Sequence, residues 1–424
     1  MSANTGQLAK RRRVVITGLG ILSPCGIGKE EFWDNLIAGR TFIDRVTKFN
    51  IEEFPTKIAG ELSGLDKSAY LTDNDTRRFD EVAQYAYIAA VQALKDSGVD
   101  LSRSSLDRIG AIVGSSHGAI WSLEKDIIAS RERGLHGPSP FAMANASTNI
   151  TSGLIALKLG LKGPNFSIVS ACASGTHSIG EAFNTVAQDR ADIMLAGGAE
   201  SCITPFVFSG YCFLSAMSRR NEEPRRACRP FDANRDGFVM AEGAGLVVLE
   251  ELQHALERGA HIYAEVIGYG ASNDAVHVTN ISRRGIGIRR AMQMAIEDAN
   301  VGLEDIDYIN THGSSTVLAD MSEAAAIKDL FKHHTRRLLI NSTKSITGHL
   351  MGASGGAEAV VCALSLENNL IHPTLNYEQP DPRCELENIT NQPVKRELTH
   401  VLSNSIGFGG ADSSIVIRKY AGAN

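Results

Sequence analysis

Short apolar runs that carry almost no charge recur along the chain, and segments of helical periodicity separate them. Runs without polar alternation are typical of strands that helices cover on both faces. Strands of this kind alternating with helices predict an α/β fold. The predicted strands are Arg13–Thr17, Ile109–Val113, Phe166–Ser170, Ile193–Ala196, Leu246–Glu250, Tyr263–Tyr269, Tyr308–Thr311, Leu338–Ser342 and Ser414–Arg418.

Five helices are predicted between these strands, and several end at clear stop signals, such as Gly98 after Asp96-Ser97. They are 79–97, 173–188, 285–300, 322–332 and 355–368.

The chain is long enough for one large α/β body or two ordinary domains, with 424 residues of which 43% are hydrophobic. We predict two comparable halves, 12–255 and 256–420, within one continuous layered body, because no low-complexity linker separates them. The segment 211–238, rich in Arg, Glu, Asn and Pro, is predicted to be a surface excursion of the first half.

Charge and cysteine usage exclude several classes of protein. The net charge is −6 with signs mixed throughout, which does not suggest nucleic-acid binding. The seven cysteines form no CxxC pair, which argues against a disulfide framework or a structural zinc site. No apolar stretch reaches the length of a membrane span or follows the N-terminus as a signal peptide would, so we expect a cytoplasmic protein.

Cys172 lies where an apolar run ends at small residues, in Ser170-Ala171-Cys172-Ala173-Ser174-Gly175. This pattern predicts a strand followed directly by a helix start. A thiol at a helix N-terminus feels the positive end of the helix dipole, which favours the thiolate. A buried packing cysteine is the more ordinary interpretation of such a residue.

Two histidines follow other predicted strands. His312 comes directly after the run ending at Thr311, and His349 follows Lys344 in a segment after the run ending at Ser342. Strand ends of open α/β sheets converge on the crevice where ligands bind. The three strand ends therefore predict one site containing Cys172, His312 and His349.

One cysteine and two histidines favour acyl chemistry. A thiolate can hold an acyl group as a thioester, and two imidazole N–H groups can stabilise the oxyanion that forms when a malonyl thioester loses CO₂. A cysteine hydrolase generally needs only one histidine and an orienting polar residue. The second histidine therefore favours carbon–carbon condensation, although spacing alone does not decide between the two.

Two patterns that could indicate a cofactor or metal have simpler explanations. Gly18-Leu19-Gly20 follows a strand, but the third glycine of a dinucleotide fingerprint is replaced by Ser23 and Pro24 interrupts the helix that should follow. His333-His334 lies at a charged helix end, where a solvated face is the simpler interpretation. We predict no cofactor and no metal.

From Arg12 to about Tyr420 the chain resembles the β-ketoacyl-[acyl-carrier-protein] synthases of the elongating, KAS II type. The similarity rests on the motif around Cys172, on Arg229-Pro-Phe-Asp232 with Arg235-Asp-Gly-Phe-Val239, on Thr311-His-Gly-Ser-Ser-Thr316, on 342–349 and on Gly407-Phe-Gly-Gly410. The resemblance implies a thiolase-like fold, a five-layered αβαβα body of two pseudo-equivalent halves that dimerises.

The resemblance also assigns roles to residues. Cys172 would accept the acyl chain, the backbone N–H groups of Cys172 and Phe408 would form the oxyanion hole, and His312 and His349 would bind the malonyl thioester. Further roles are implied for Lys344 paired with Glu358, for the phosphopantetheine-binding hydroxyls of Ser314 and Thr316, for Asp320 and Glu323 as structural supports, and for Phe408 as the gate on a glycine-rich loop.

The partner that the resemblance implies is acyl carrier protein, which is acidic and needs a basic docking surface. Arg77-Arg78 and Arg219-Arg220 lie where the family makes such contacts, although an ordinary solvated face explains each arginine equally well. A homodimer, or a heterodimer with a chain-length-factor-like paralogue, is implied as well.

Three departures from the family pattern bear on the substrate. His117 stands at a usually apolar position that bounds the acyl pocket, and a polar group there would disfavour a long saturated tail. Ile406 replaces a common Phe before the gate, and Ala411-Asp412 replaces a frequent Thr-Asn after it. Fatty-acid elongation and polyketide or polyene synthesis therefore both remain open.

Two alternatives compete with a decarboxylating ketosynthase. A non-catalytic chain-length factor characteristically lacks the nucleophile, which is present here as Cys172. A thiolase acting on CoA esters typically pairs one histidine with a second cysteine, whereas this chain has His312 and His349.

Overall fold

A computed structural model describes residues 11–422. Ten strands carry the apolar runs of the chain. They are β1 Val14–Ser23, β2 Ile109–Gly114, β3 Asn165–Phe166, β4 Ile193–Glu200, β5 Gly243–Glu251, β6 Ala264–Asn273, β7 Tyr308–Asn310, β8 Leu339–Asn341, β9 His400–Gly407 and β10 Ala411–Lys419. Two-residue strands lie at Gly26–Ile27, Asp44–Arg45, Ile58–Ala59, Leu370–Ile371 and Val394–Lys395.

The α-helices of the described part follow in chain order. They are α1 Lys29–Ile37, α2 Asp73–Arg78, α3 Glu81–Ser97, α4 Ile120–Arg133, α5 Ala142–Ala146, α6 Ile150–Leu159, α7 Ser174–Ala187, α8 Pro205–Phe213, α9 Leu252–Glu257, α10 Ile286–Ala299, α11 Val317–Phe331, α12 Lys344–Thr347 and α13 Ser354–Asn368. Short 3-10 helices complete the chain at Lys67–Ala69, Leu106–Arg108, Gly134–His136, Pro224–Arg226, Leu303–Asp305, Lys332–Arg336, Met351–Ala353 and Phe408–Gly410.

The strands form two sets of five with the same order and directions. The first set runs β3-β2-β4-β5-β1 and the second β8-β7-β9-β10-β6. In each set the first three strands are parallel and the last two are added antiparallel. Three residue pairs between β1 and β6 join the sets. Helix α9 leads from one set to the next, and the predicted boundary at 255/256 falls within it.

Helices cover both faces of each set of strands, here called the first and the second sheet. The body therefore has five layers, with one helical layer shared between the two sheets. Along β2 the side chains of Ala111 and Val113 pack with α3, whereas Ile112 packs with the central helix α7. The central layer contains α7 and α13, which contact both sheets. Helices α10 and α11 cover the outer face of the second sheet. The two-sided burial explains why the strands carry apolar runs rather than alternation.

Some elements differ from the predictions. The strand predicted to reach Ser170 ends at Phe166, on a half-exposed sheet edge. Strand β9 was not predicted, because its run 400–407 is broken by Ser, Asn and Ser. Helix α11 begins at Val317, five residues before the predicted start, because Thr316 caps it. The sequence analysis also missed helices α1, α2, α4, α5, α6, α8, α9 and α12.

The segment 211–238 is the predicted surface excursion only in its first part: most of 211–226 is exposed or half-buried, whereas 227–232 is buried. Two of its arginines are buried in ion pairs, with Arg229 Nε 2.9 Å from Asp232 Oδ1 and Arg235 Nη1 2.6 Å from Asp381 Oδ2. Phe231 and Phe238 are buried as well. The composition of the segment suggested exposure to solvent, because arginines in buried ion pairs cannot be distinguished in sequence from solvated ones.

No helix within residues 11–422 is long and apolar enough to cross a membrane.

Candidate active site

Cys172 is presented by a strained turn directly before α7. Ala171 adopts φ 50°, a conformation that costs a non-glycine residue free energy and that clusters at functional sites. The hydroxyl of Ser174, the first residue of α7, accepts the Ser170 N–H at 2.9 Å and donates to the Ala171 carbonyl at 2.6 Å. The turn is thereby fixed, and Cys172 is 6% exposed.

The starts of α7 and α13 approach each other closely. A Cβ on Gly175 would lie 2.8 Å from the Gly356 N, and a Cβ on Gly355 would lie 2.0 Å from Thr176 Oγ1. Such distances leave no room for a side chain, so glycine is required here for close approach. Cys172 precedes α7 and His349 precedes α13, so the contact brings both residues to one place.

His312 follows β7 on a loop that two buried carboxylates hold. Glu323 accepts the N–H groups of His312 and Gly313, each at 2.9 Å. Asp320 accepts the N–H of Ser315 at 3.1 Å, and Ser315 has φ 69°. Through these contacts Asp320 and Glu323 hold the loop that carries His312. This is the structural role that the resemblance implied for them.

The two histidines face each other. Their ring centroids lie 5.3 Å apart and the ring planes meet at 85°. His349 Nδ1 lies 3.0 Å from Ser354 Oγ, which fixes its ring. His312 Nδ1 is buried and has no hydrogen-bond partner among the described residues.

A cavity of about 310 Å³ brings together seven of the predicted site residues. Its walls include Cys172, His312, His349, Ser314, Thr316, Ile406 and Phe408. The hydroxyl oxygens of Ser314 and Thr316 lie 3.1 Å apart, as a paired donor and acceptor at one wall. Lys344, Glu358, Asp320 and Glu323 are buried outside this lining.

Burial makes the resting nucleophile a thiol rather than the thiolate that the helix dipole led us to expect. It raises the pKa of Cys172 to about 12, although the positive charge of Lys344 acts in the opposite direction. Burial, followed by the charge of Lys344, lowers the pKa of His312 and of His349 well below 6.5. Both imidazoles are therefore neutral at pH 7, and each carries one N–H donor.

Lys344 forms a buried ion pair with Glu358, whose Oε1 lies 2.5 Å from its Nζ. Burial raises the pKa of Glu358 to about 7, although Lys344 opposes this. The pair lies outside the cavity lining, so Lys344 acts on the site through its charge.

The loop carrying Phe408 packs directly on the nucleophile turn. A Cβ on Gly407 would lie 2.5 Å from the Ser170 O, so only glycine permits this approach. Gly409 and Gly410 have φ 79° and 75°. Asp412, which follows the loop, is buried, and neither carboxyl oxygen has a partner within residues 11–422.

The remaining predicted residues lie outside the cavity lining. His117 sits behind Tyr211, with its Nε2 3.3 Å from the tyrosine hydroxyl. Arg77, Arg78 and Arg219 are exposed. Arg220 is half-buried and donates to the Asn234 carbonyl at 2.8 Å.

Sequence reasoning missed an aromatic wall of the cavity. Tyr211 and Phe238 line it, with ring centroids 5.4 Å apart, and Tyr211 also lies 6.0 Å from the Phe408 ring. Both residues belong to the segment 211–238, which was predicted to be a surface excursion. The signal that could have found Tyr211 is the apolar and aromatic content of 205–214, which is helix α8 with its C-cap.

Comparison with known sequences identifies the family. Residues 11–255 match the family model described as beta-ketoacyl synthase, N-terminal domain, and residues 263–378 match that of its C-terminal domain. The chain belongs to the β-ketoacyl synthase family. It is therefore a condensing acyltransferase, and the predicted enzyme class and thiolase-like αβαβα fold are confirmed.

Individual relatives agree with this assignment. A 3-oxoacyl-[acyl-carrier-protein] synthase 2 from Coxiella burnetii is 42% identical over 97% of this chain and 99% of its own length. A type II polyketide ketosynthase complex with its acyl carrier protein, bound to a hexaketide, matches this β-ketoacyl synthase with a TM-score of 0.90 and 33% identity, over 97% of this chain and all of the matched chain. The ishigamide ketosynthase/chain length factor matches with a TM-score of 0.91 and 32% identity over the same shares. The resemblance to KAS II enzymes is thus confirmed.

Proposed function

We propose that Cys172, His312 and His349 condense an enzyme-bound acyl group with malonyl-[acyl-carrier-protein], with loss of CO₂. The observation that carries this assignment is the pair of neutral imidazoles, 5.3 Å apart, on the same cavity as the buried thiol. Two N–H donors in a water-poor site are suited to an oxyanion that develops during the reaction. A hydrolase would not need the second histidine.

The first step is transfer of the acyl group to the enzyme. The Cys172 sulfur attacks the thioester carbonyl, the bond to the pantetheine sulfur breaks, and the thiol proton leaves with the pantetheine as its thiol. The oxyanion of the intermediate lies beside the turn at Cys172 and the adjoining loop at Phe408, whose backbone N–H groups would hold it.

The second step forms the carbon–carbon bond. His312 and His349 donate to the malonyl thioester oxygen while CO₂ departs, so the electron pair of the broken bond is held as an enolate. The enolate carbon attacks the Cys172 thioester, a carbon–carbon bond replaces the carbon–sulfur bond, and the freed thiolate takes up a proton. The product is a β-ketoacyl-[acyl-carrier-protein].

The partner in this scheme is an acidic carrier protein. Its phosphopantetheine arm would enter past Ser314 and Thr316, and the exposed Arg77, Arg78 and Arg219 would meet its surface charge, whereas Arg220 already binds within the chain. The second subunit is either another copy or a chain-length-factor-like paralogue. Since decarboxylation supplies the driving force, we assign no resident cofactor and no metal.

Mass spectrometry of Cys172 tests the proposal. Incubation with an acyl-loaded carrier protein should add one acyl group at Cys172, and Cys172→Ala should abolish both the adduct and condensation while malonyl decarboxylation stays measurable. Cys202→Ala is the matched control, because Cys202 is buried but lies outside the cavity lining. Absence of an adduct with every carrier protein would exclude the ketosynthase role.

A further inference from the structure

Tyr211 introduces a hydroxyl into an otherwise apolar side of the cavity. Its ring packs edge-on against Phe238 and lies near Phe408, and its neighbours in the same cluster include Met240 and Met351. Tyr211 and Cys172 line the same cavity and belong to the same apolar cluster. An acyl group on Cys172 therefore has Tyr211 as a neighbour.

The hydroxyl of Tyr211 is held from behind by fixed polar groups. His117 Nε2 lies 3.3 Å from it, and His117 Nδ1 lies 3.4 Å from Glu200 Oε1. Glu200 is fully buried and accepts backbone N–H groups of Ser116 at 2.8 Å and of Gly352 at 3.0 Å. Glu200 thus fixes the loop that carries His117, because it also accepts the His117 N–H at 3.2 Å, whereas His117 Nδ1 has no hydrogen-bond partner within residues 11–422.

A metal site is the other interpretation of this cluster. The ligand atoms of His117, Glu200 and the buried Cys202 lie within 4.8 Å of one another. However, the Glu200 oxygens already accept hydrogen bonds from three backbone N–H groups and one hydroxyl, those of Ser116, His117, Gly352 and Ser115. With its carboxylate saturated by the protein, the cluster is better suited to orienting His117 than to binding an ion.

The hydroxyl of Tyr211 and its contact with His117 restrict which acyl chains the cavity can bind well. Because His117 Nδ1 forms no hydrogen bond to the described part of the chain, we place the ring proton on Nε2, which donates to the Tyr211 oxygen and leaves the tyrosine's own proton free for a substrate oxygen. A saturated acyl chain packed against the hydroxyl would leave this proton unsatisfied, whereas a keto or hydroxyl oxygen on the chain would bond to it. Sites built to hydrogen-bond a substrate oxygen discriminate against analogues that lack it.

We propose that Tyr211, oriented by His117 and Glu200, forms a polar subsite that selects acyl chains carrying a keto or hydroxyl oxygen near the thioester over saturated chains of equal length. The proposal rests on the proposed function of Cys172 as the acyl acceptor. The substrate class of that site is then an oxygenated acyl chain. Such chains arise when the keto groups formed by condensation are not fully reduced.

The test compares two matched probes on the full-length protein. Octanoyl and 3-oxooctanoyl thioesters of N-acetylcysteamine are supplied separately, and the rate of Cys172 acylation is followed by intact-protein mass spectrometry. The wild type should acylate about three- to tenfold faster with the oxo probe, the range that one hydrogen bond gives. Tyr211→Phe and His117→Leu should bring the ratio close to one, and His117→Gln, which keeps a hydrogen-bonding group, should retain most of the preference.

Tyr269→Phe is the matched control. Its hydroxyl bonds to His177 Nδ1 at 2.7 Å in a second tyrosine–histidine pair that does not line the cavity, so the preference should not change. Equal acylation of the wild type by both probes, or a preference that survives Tyr211→Phe, would refute the subsite alone. Failure of every thioester to acylate Cys172 would instead refute the proposed function, and the subsite with it.

Discussion

Lys344 and Glu358 form an ion pair in the interior of the protein, with Lys344 Nζ 2.5 Å from Glu358 Oε1 and neither side chain more than 2% exposed. Burial has the largest effect on all three active-site groups, raising the pKa of Cys172 and lowering those of His312 and His349; the charge of Lys344 opposes the rise at Cys172 and adds to the lowering at both histidines. One lysine therefore favours the reactive form of the nucleophile and the neutral form of its partners together.

Replacement of this lysine should affect stability and catalysis. Lys344→Met leaves Glu358 buried without a partner, so the free energy of unfolding should fall by about 3–5 kcal/mol. Loss of the positive charge should also slow Cys172 acylation by at least about tenfold. Chemical denaturation and acylation kinetics measure the two effects.

The double variant Lys344→Met/Glu358→Met separates these effects. It should recover much of the stability, because no lone charge remains in the interior. Acylation should stay slow, because the positive field is still missing. Recovery of acylation to the wild-type rate would show that Lys344 serves only the fold.

The two histidines should each be needed for decarboxylation and should act as neutral groups. His312→Ala or His349→Ala should slow malonyl decarboxylation by about 100-fold, the effect of losing one oxyanion donor. Because burial lowers both pKa values well below 6.5, the wild-type rate should stay level as the pH falls from 8 to 6. A stopped assay of CO₂ release measures this, and a rate that halves near pH 6.5 would contradict the neutral assignment.

Asp412 should make the protein less stable at alkaline pH. Burial, followed by the charges of Asp274 and Glu323, raises the pKa of its carboxyl to about 8. Its carboxyl loses the proton near pH 4 when the chain is unfolded and near pH 8 when folded, so stability falls as the pH rises between these values. Asp412→Asn should remove this dependence and stabilise the protein at pH 8 by on the order of 2 kcal/mol.

Thermal unfolding of both forms at pH 5 and pH 8 measures the effect of Asp412. The advantage of Asp412→Asn should be larger at pH 8 than at pH 5. Asp412→Ala is a useful comparison because it removes the carboxyl without adding a hydrogen-bonding amide. A constant difference between wild type and Asp412→Asn across this range would contradict the raised pKa.

Gly407→Ala should displace the gate loop from the nucleophile. The added Cβ would lie 2.5 Å from the Ser170 O, so backbone must move. We expect a loss of about 1–3 kcal/mol in stability and at least about tenfold slower acylation. Gly153→Ala on helix α6 is the control, since nothing lies within 4 Å of its Cβ, and it should leave acylation unchanged. Wild-type acylation by Gly407→Ala would show that the loop tolerates displacement.

Much of the site could be predicted from sequence, because Cys172, His312 and His349 each follow a predicted strand and ligands bind at the carboxyl ends of parallel strands. The pairing of the two halves could not be predicted in the same way, since the sequence shows no clear repeat. It depends on glycine contacts such as that of Gly175 with Gly356, which only a three-dimensional arrangement shows.

Burial of charge explains the remaining errors. Arg229 and Arg235 looked like solvent-exposed residues because their partners Asp232 and Asp381 could not be assigned from composition. The thiolate state of Cys172 was inferred from a helix start alone, whereas desolvation outweighs it in the folded protein. The acyl-pocket position of His117 came from the resemblance and did not include Tyr211 in front of it.

The identical order of the two strand sets is the arrangement that fusion of two copies of one ancestral gene would leave. Under that relation, Cys172 before α7 corresponds to His349 before α13, and His117 after β2 corresponds to His312 after β7. Cys172 and His349 would thus descend from one position of an ancestor that formed a dimer with itself. His117 would be the counterpart of His312, but it contacts Tyr211 instead of lining the cavity.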